Sequence, residues 1–206
     1  MTDGRQDDPS PARHYFDERP DVARAPAVVD VVLPGTAFRL TTDRGVFSHG
    51  RLDTGTALLL REAQPPALTG QLLDLGCGAG PITLTLAKRA PDATVWAVDV
   101  NERARELTSA NAQANGVTNV RIVHPDDVPG DIVFATIWSN PPLRSGKRSL
   151  HDLLLTWLPR LASGGRAELV VQKHLGADSL HHWLEQQGFT VRRTASRSGY
   201  RLLAVE

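Results

Sequence analysis

The chain has a single cysteine, Cys77, among 206 residues, so it can form no intramolecular disulfide and offers no cysteine cluster to a metal. It also lacks an excess of either charge: 23 lysines and arginines stand against 23 aspartates and glutamates, and the formal net charge is zero. Bulk electrostatics therefore favour neither nucleic acid nor a membrane surface, and a polyanion would have to be held by local patches. There is no run of roughly 18 apolar residues, and the polar start over residues 1–9 has no signal-peptide core. These absences predict a cytoplasmic protein without a membrane partner. No internal repeat and no low-complexity segment is present. With 41% hydrophobic and 22% charged residues, the balance is that of an ordinary globular chain. The length suits one domain with a sizeable core.

Residues 1–13 are polar, carry Pro9 and Pro11, and are expected to form a disordered tail. His14-Tyr15-Phe16 then brings aromatics. Two β-rich runs, 28–33 and 37–42, flank Pro34-Gly35 and predict a hairpin. Asp53 is placed to cap a helix running to about residue 62, with Leu58, Leu59 and Leu60 on its apolar side. From Gly70 onward the pattern alternates. Strands are expected near 71–75, 94–98, 120–123, 132–138, 166–172, 189–196 and 200–205, and helices near 79–89, 102–115, 147–162 and 177–187. Such alternation predicts an α/β fold: a seven-stranded, mostly parallel, doubly wound sheet. Only Arg197-Ser198-Gly199 separates the last two strands, so they must form a hairpin and leave a final antiparallel strand. Residues 14–206 read as one domain, with 14–66 an N-terminal β-hairpin extension and 67–206 the core.

The core opens with Leu72-Leu-Asp-Leu, then glycines at 76, 78 and 80, then an amphipathic run. Glycine accepts positive φ in tight turns and lets a ligand approach the backbone. A Gly-rich turn between strand and helix, outside the carboxyl end of a strand, is where nucleotide-like ligands sit in open α/β sheets. A dinucleotide fingerprint is G-x-G-x-x-G, whereas here the third glycine comes one residue early and Pro81 follows it. The next strand ends in Asp99, whose carboxylate can hold two ribose hydroxyls. After a further apolar strand comes Ser139-Asn140-Pro141-Pro142. The combination points to a methyl donor, S-adenosylmethionine (SAM), which has no pyrophosphate to be met by a helix N-terminus. Cys77 is a small residue filling the turn rather than a nucleophile.

Methyl transfer to an exocyclic base amine needs a nitrogen lone pair that is otherwise delocalised into the ring. Accepting hydrogen bonds from the amine N–H groups moves electron density to nitrogen as positive charge develops. The side-chain carbonyl of Asn140 and the backbone carbonyl of Pro141 are natural acceptors, and the prolines remove competing donors. Residues 72–81, Asp99 and Ser139-Asn140-Pro141-Pro142 resemble class I SAM-dependent methyltransferases that modify amino groups of bases or glutamine. His14-Tyr15-Phe16, Gly45-Val46-Phe47-Ser48, Asp53-Thr54-Gly55-Thr56, the stretch Trp138 to Lys147 and Gly199-Tyr200-Arg201 sharpen the resemblance. Together they are similar to the small-domain 16S ribosomal RNA guanine-N2 methyltransferases over about residues 14–206.

That resemblance implies roles by position. Asp74, Gly76, Cys77, Gly78 and Gly80 would line the methionine and ribose end of SAM. Asp99, with Val100 and Asn101 after it, would take the ribose and adenosine. Asp126 (or its neighbour Asp127) would accept from the adenine amine. Phe47, Asp53 and Gly55 would close the pocket, with Asn140 counted among the cofactor contacts as well. Asn140, Pro141 and Pro142 would be catalytic. Leu143 stands where many base-amine methyltransferases carry an aromatic that stacks on a flipped base, which moves the expectation away from adenine-N6 and glutamine substrates. The two-domain relatives carry a duplicated, inactive half for which the residues before the glycine run are too few. Arg144 and Lys147, with Arg148, could neutralise phosphates beside the target nucleotide. Lys173, Arg192, Arg193, Arg197 and Arg201 are either a second basic patch or a solvated face. The four tryptophans are expected in the core and His181-His182 on the surface. No metal is implied. The expected function is methylation of guanine N2 in RNA, with ribosomal RNA or the small subunit as partner. The alternatives are a glutamine or adenine amino methyltransferase, or a non-catalytic SAM- and RNA-binding module.

Overall fold

The computed structural model describes residues 23–46, 48–142 and 146–206. The expectations for the tail, for His14-Tyr15-Phe16, and for Phe47, Leu143 and Arg144 lie outside the described residues. Among the described residues, nine strands and five α-helices follow in order: β1 (Ala27–Leu33), β2 (Thr36–Thr42), α1 (Thr54–Glu62), β3 (Thr69–Leu75), α2 (Pro81–Arg89), β4 (Asp92–Val98), α3 (Glu102–Ala114), β5 (Val120–Val123), β6 (Phe134–Ser139), α4 (Lys147–Trp157), β7 (Leu161–Gln172), α5 (Ala177–Gln186), β8 (Val191–Arg197) and β9 (Tyr200–Val205).

Seven of the strands form one sheet in the order β5-β4-β3-β6-β7-β9-β8. β3 to β7 are mutually parallel, and β9 runs antiparallel to both β7 and β8, as the short connection demanded. The chain winds outward from β3 to β5, then crosses back to lay β6 on the other side of β3. Ligands in open α/β sheets bind at such a reversal, outside the carboxyl ends of the strands.

Adjacent side chains on each strand go to opposite faces, and both faces are buried. Leu72, Val95, Trp138, Val170 and Leu202 meet α1, α2, α3 and the hairpin on one side. Leu73, Val98, Ile137, Leu169 and Leu203 meet α4 and α5 on the other. Three of the four tryptophans are core residues: Trp96, Trp138 and Trp157 are buried, with Trp96 donating to Gln71 Oε1 at 2.7 Å, whereas Trp183 is half-buried and stacks on His151.

Most boundaries fall within two residues of expectation; β7 begins at Leu161 rather than 166, and α2 and α4 differ for local reasons. α2 starts at Pro81 rather than 79, because Gly80 takes φ 88°, outside the helix, and proline is suited to the first helical position. α4 ends at Trp157 rather than 162, because Pro159 cannot continue it. A 3₁₀ turn, Leu158–Arg160, follows, and β7 begins at Leu161.

β1 and β2 form a separate two-stranded sheet. α3 holds it by two asparagines one turn apart. Asn111 accepts from Thr41 N and donates to Thr41 O, both at 2.8 Å. Asn115 accepts from Arg39 N at 3.1 Å and donates to Arg39 O at 2.8 Å. Helix residues four apart and strand residues two apart are similarly spaced, which is why the match works. No helix among the described residues is long and apolar enough to cross a membrane.

Candidate active site

The turn after β3 places Gly76, Gly78 and Gly80 in the left-handed region, at φ 82°, 57° and 88°. Gly76 N and Cys77 N both donate to Val98 O, at 2.9 and 3.0 Å, and lash the turn to the end of β4. A Cβ at Gly76 would meet nothing within 4 Å, so glycine is required there for its backbone, and the space before it is open. Cys77 is buried beside Thr108, and burial pushes its thiol well above the ordinary range. It is a packing residue.

Asp99 closes β4. Its Oδ2 accepts from Gly78 N at 3.0 Å and its Oδ1 from Asn101 N at 2.9 Å. Burial raises its pKa, opposed by those two backbone bonds and by Arg105. Each oxygen keeps a lone pair for a further donor, which suits a vicinal diol. Asp74 lies one strand over, fully buried. Thr83 Oγ1 donates to its Oδ2 at 2.5 Å, while its Oδ1 has no hydrogen-bond partner among the described residues. Burial pushes its pKa up to about 7. An orphaned, buried carboxylate oxygen beneath an open glycine turn fits a ligand that brings positive charge.

β6 ends at Ser139, whose Oγ donates to Leu75 O at 2.7 Å and ties the Asn-Pro-Pro segment to the start of the glycine turn. Asn140 is half-buried. Its Nδ2 donates to Asp53 Oδ2 and to Thr56 Oγ1, each at 2.9 Å. The side-chain carbonyl oxygen is left, among the described residues, as an unengaged acceptor. Asp53 is the N-cap of α1, accepting from Thr56 N at 2.9 Å.

The structure thus collects Asp53, Gly55, Asp74, Gly76, Cys77, Gly78, Gly80, Asp99, Val100, Asn101, Asn140, Pro141 and Pro142 at the carboxyl ends of β3, β4 and β6. Asn101 has its side chain occupied: it caps α3 through Arg103 N and Ala104 N and donates to Gly45 O at 2.8 Å. Asp126 sits in a 3₁₀ turn after β5 with an exposed side chain, and Asp127 is exposed beside it. Lys147 and Arg148 open α4 and are exposed.

The C-terminal basic set is not uniformly free. Arg192 pairs with Glu206, Arg197 with Glu62, and Arg201 is buried against Asp178, while Arg193 and Lys173 are exposed. His181 and His182 both pair with Glu185 on the surface of α5. Among the described residues no cluster of three His, Cys, Asp or Glu side chains could hold a metal. Sequence reasoning gave no role to Thr56, Thr83 or Thr108; the Asp-x-Gly-Thr run was the one available signal, for Thr56.

A profile of the family described as Methyltransferase small domain matches residues 37–204. The chain is 37% identical to the Bacillus subtilis protein YbxB over 195 residues, covering 93% of this chain and 97% of that one. It is 33% identical to the ribosomal RNA small subunit methyltransferase C of Shewanella loihica, covering 91% of this chain and 55% of that one. Among solved structures it is similar to a T. thermophilus 16S rRNA N2 methyltransferase in complex with AdoMet and guanosine. The TM-score is 0.76 at 25% identity, covering 91% of this chain and 52% of that one. The chain therefore spans about half the length of these two ribosomal RNA methyltransferases.

Proposed function

The chain belongs to the methyltransferase small domain family, and on that premise we propose that it methylates the exocyclic N2 amine of a guanine in RNA, with small-subunit ribosomal RNA as the substrate and SAM as the donor. One observation carries the reading: Asn140 at the mouth of the glycine turn, its NH₂ held from behind and its carbonyl left to accept. SAM supplies an electrophilic methyl on a sulfonium and leaves as S-adenosylhomocysteine.

The protein's own groups do the rest. Asp99 offers both carboxylate oxygens to ribose hydroxyls, and the left-handed backbone of Gly76 keeps space clear over the turn. Asp74 lies buried under the turn with an uncompensated oxygen, and its ionised form would attract the donor's positive charge through the protein. The carbonyl of Asn140 and the backbone carbonyl of Pro141 accept from the two amine hydrogens, so the nitrogen lone pair is available as the N–C bond forms. Both acceptors are uncharged, so the amine keeps its proton until the methyl has moved and then loses it to solvent. Lys147 and Arg148 open α4 just past the Asn-Pro-Pro segment and would neutralise phosphates flanking a base drawn out of its stack.

The test is nucleoside mass spectrometry of unmethylated small ribosomal subunits incubated with SAM and the protein, beside Asn140→Ala. N2-methylguanosine with the wild type and its loss in the variant is the expected result. Methylated glutamine or N6-methyladenosine instead, or SAM binding with no transfer, would overturn it.

A further inference from the structure

Asp53 and Thr56 reach Asn140 across 87 and 84 residues of sequence, and both bonds end on the same nitrogen, Nδ2. We propose that these two are positioning residues that decide which end of the Asn140 amide faces the methyl acceptor. The inference rests on Asn140 being the group that accepts from the amine.

The two ends of a primary amide have almost the same shape and opposite chemistry, one an acceptor and the other a double donor. If the NH₂ faced outward, it would oppose the N–H groups of an incoming amine rather than draw electron density from them. Shape alone cannot choose between the two orientations, so the choice has to come from a partner. A carboxylate is such a partner, because it only accepts. Asp53 Oδ2 takes Thr56 N and Asn140 Nδ2 together, so one oxygen both caps α1 and sets the amide.

The carboxylate is itself held in place. A Cβ on Gly55 would lie 2.6 Å from Tyr200 Cε1 and 3.0 Å from Asp53 Oδ2. The Tyr200 ring, on the first residue of β9, therefore rests directly on the first turn of α1, beside the capping carboxylate. Gly55 does not have positive φ. Glycine is needed there for room, not for backbone freedom. This gives the Asp53-x-Gly55-Thr56 run a purpose that helix capping alone does not.

Asp53→Ser separates the two roles, because serine is as good an N-cap as aspartate, whereas a hydroxyl both donates and accepts and so does not dictate which end of the Asn140 amide it meets. Single-turnover methylation at saturating SAM should fall on the order of 10²-fold. In Asp53→Asn the amide oxygen can take the place of Oδ2 and accept from both Thr56 N and Asn140 Nδ2, so this variant should run about tenfold faster than Asp53→Ser. Asn140→Asp sets two carboxylates against each other and should also be slow. Thr56→Ser should keep more of the rate than Thr56→Val, which covers the case in which an Asp53 variant folds poorly.

A second readout needs no turnover. The side-chain NH₂ protons of Asn140 should exchange slowly by ¹⁵N NMR in the wild type and faster in Asp53→Ser. Full rate in Asp53→Ser, equal rates in Asp53→Ser and Asp53→Asn, or unchanged exchange would overturn the inference. If Asn140→Ala is inactive while Asp53→Ser is not, only this inference fails. If Asn140→Ala transfers methyl at the wild-type rate, the proposed function of the site fails with it.

Discussion

Asp74 makes a prediction that a purely packing role for its carboxyl would not. In the folded protein, burial holds its pKa at about 7, against an ordinary value of 3.8. In the unfolded chain the group returns to that ordinary value. The folded state therefore binds the proton more tightly, and its contribution to stability is present in full below about pH 4. It is lost progressively as the pH rises from there through about 7. At roughly 1.4 kcal/mol per pH unit, the loss is on the order of 4 kcal/mol at pH 8. Asp74→Asn imitates the protonated acid, keeps an acceptor for Thr83 Oγ1, and removes the titration.

The variant's stability in urea, minus that of the wild type, should thus be near zero at pH 4 and favour the variant by a few kcal/mol at pH 8. Glu168 is also buried and held at about 7, but it is common to the two proteins and cancels in the difference. Asp99 interacts with Asp74, since its charge raises the Asp74 pKa, and that interaction acts in the same direction. Ligand binding should move the other way. SAM carries a positive sulfonium and S-adenosylhomocysteine does not, so the wild type should favour SAM over the neutral product more strongly at pH 8 than at pH 5. Asp74→Asn should show no such trend. A stability difference flat in pH would refute the reasoning, because it would mean the carboxylate is ionised and compensated in the folded protein.

Two further predictions address the same face. Asp99→Ala removes a charged acceptor and leaves Gly78 N and Asn101 N without their partner, so SAM affinity by calorimetry should drop by about 2 kcal/mol or more; unchanged affinity would remove that carboxylate from the cofactor site. Lys147→Ala and Arg148→Ala should weaken RNA binding at every sequence tested. Each should lower the slope of log affinity against log salt by roughly one, and an unchanged slope would place RNA phosphates elsewhere.

The parts legible in the sequence were those written in consecutive residues. The strand, glycine turn and helix at 72–89, the cap at Asp53 and the closing β8–β9 hairpin depend on neighbours along the chain, and they appear where local pattern put them. The end of α4 differs from the sequence expectation even though Pro159 is a local signal, because apolar residues continue past it to Leu161. Partnerships across the fold left no such trace. Nothing near Asn140 in sequence announces Asp53 or Thr56, and the residues of α3 give no hint that Asn111 serves the backbone of Thr41. The orphaned oxygen of Asp74 is equally invisible, since burial depends on what the other strands bring beside it.

The two asparagines of α3 have a consequence for how the protein avoids sticking to itself. A two-stranded sheet has two open edges, and open edges are templates for pairing with other chains. A lone hairpin is also too small to be stable by itself. Asn111 and Asn115 present amide groups to Thr41 and Arg39 much as a neighbouring strand would, so the helix acts as a two-rung third strand and closes one edge. Asn111 Nδ2 also reaches Ala79 O, inside the glycine turn, at 2.8 Å. Exposing that edge would therefore require disturbing the turn beneath it, so a bound ligand that orders the turn should also lower the tendency of the hairpin to aggregate.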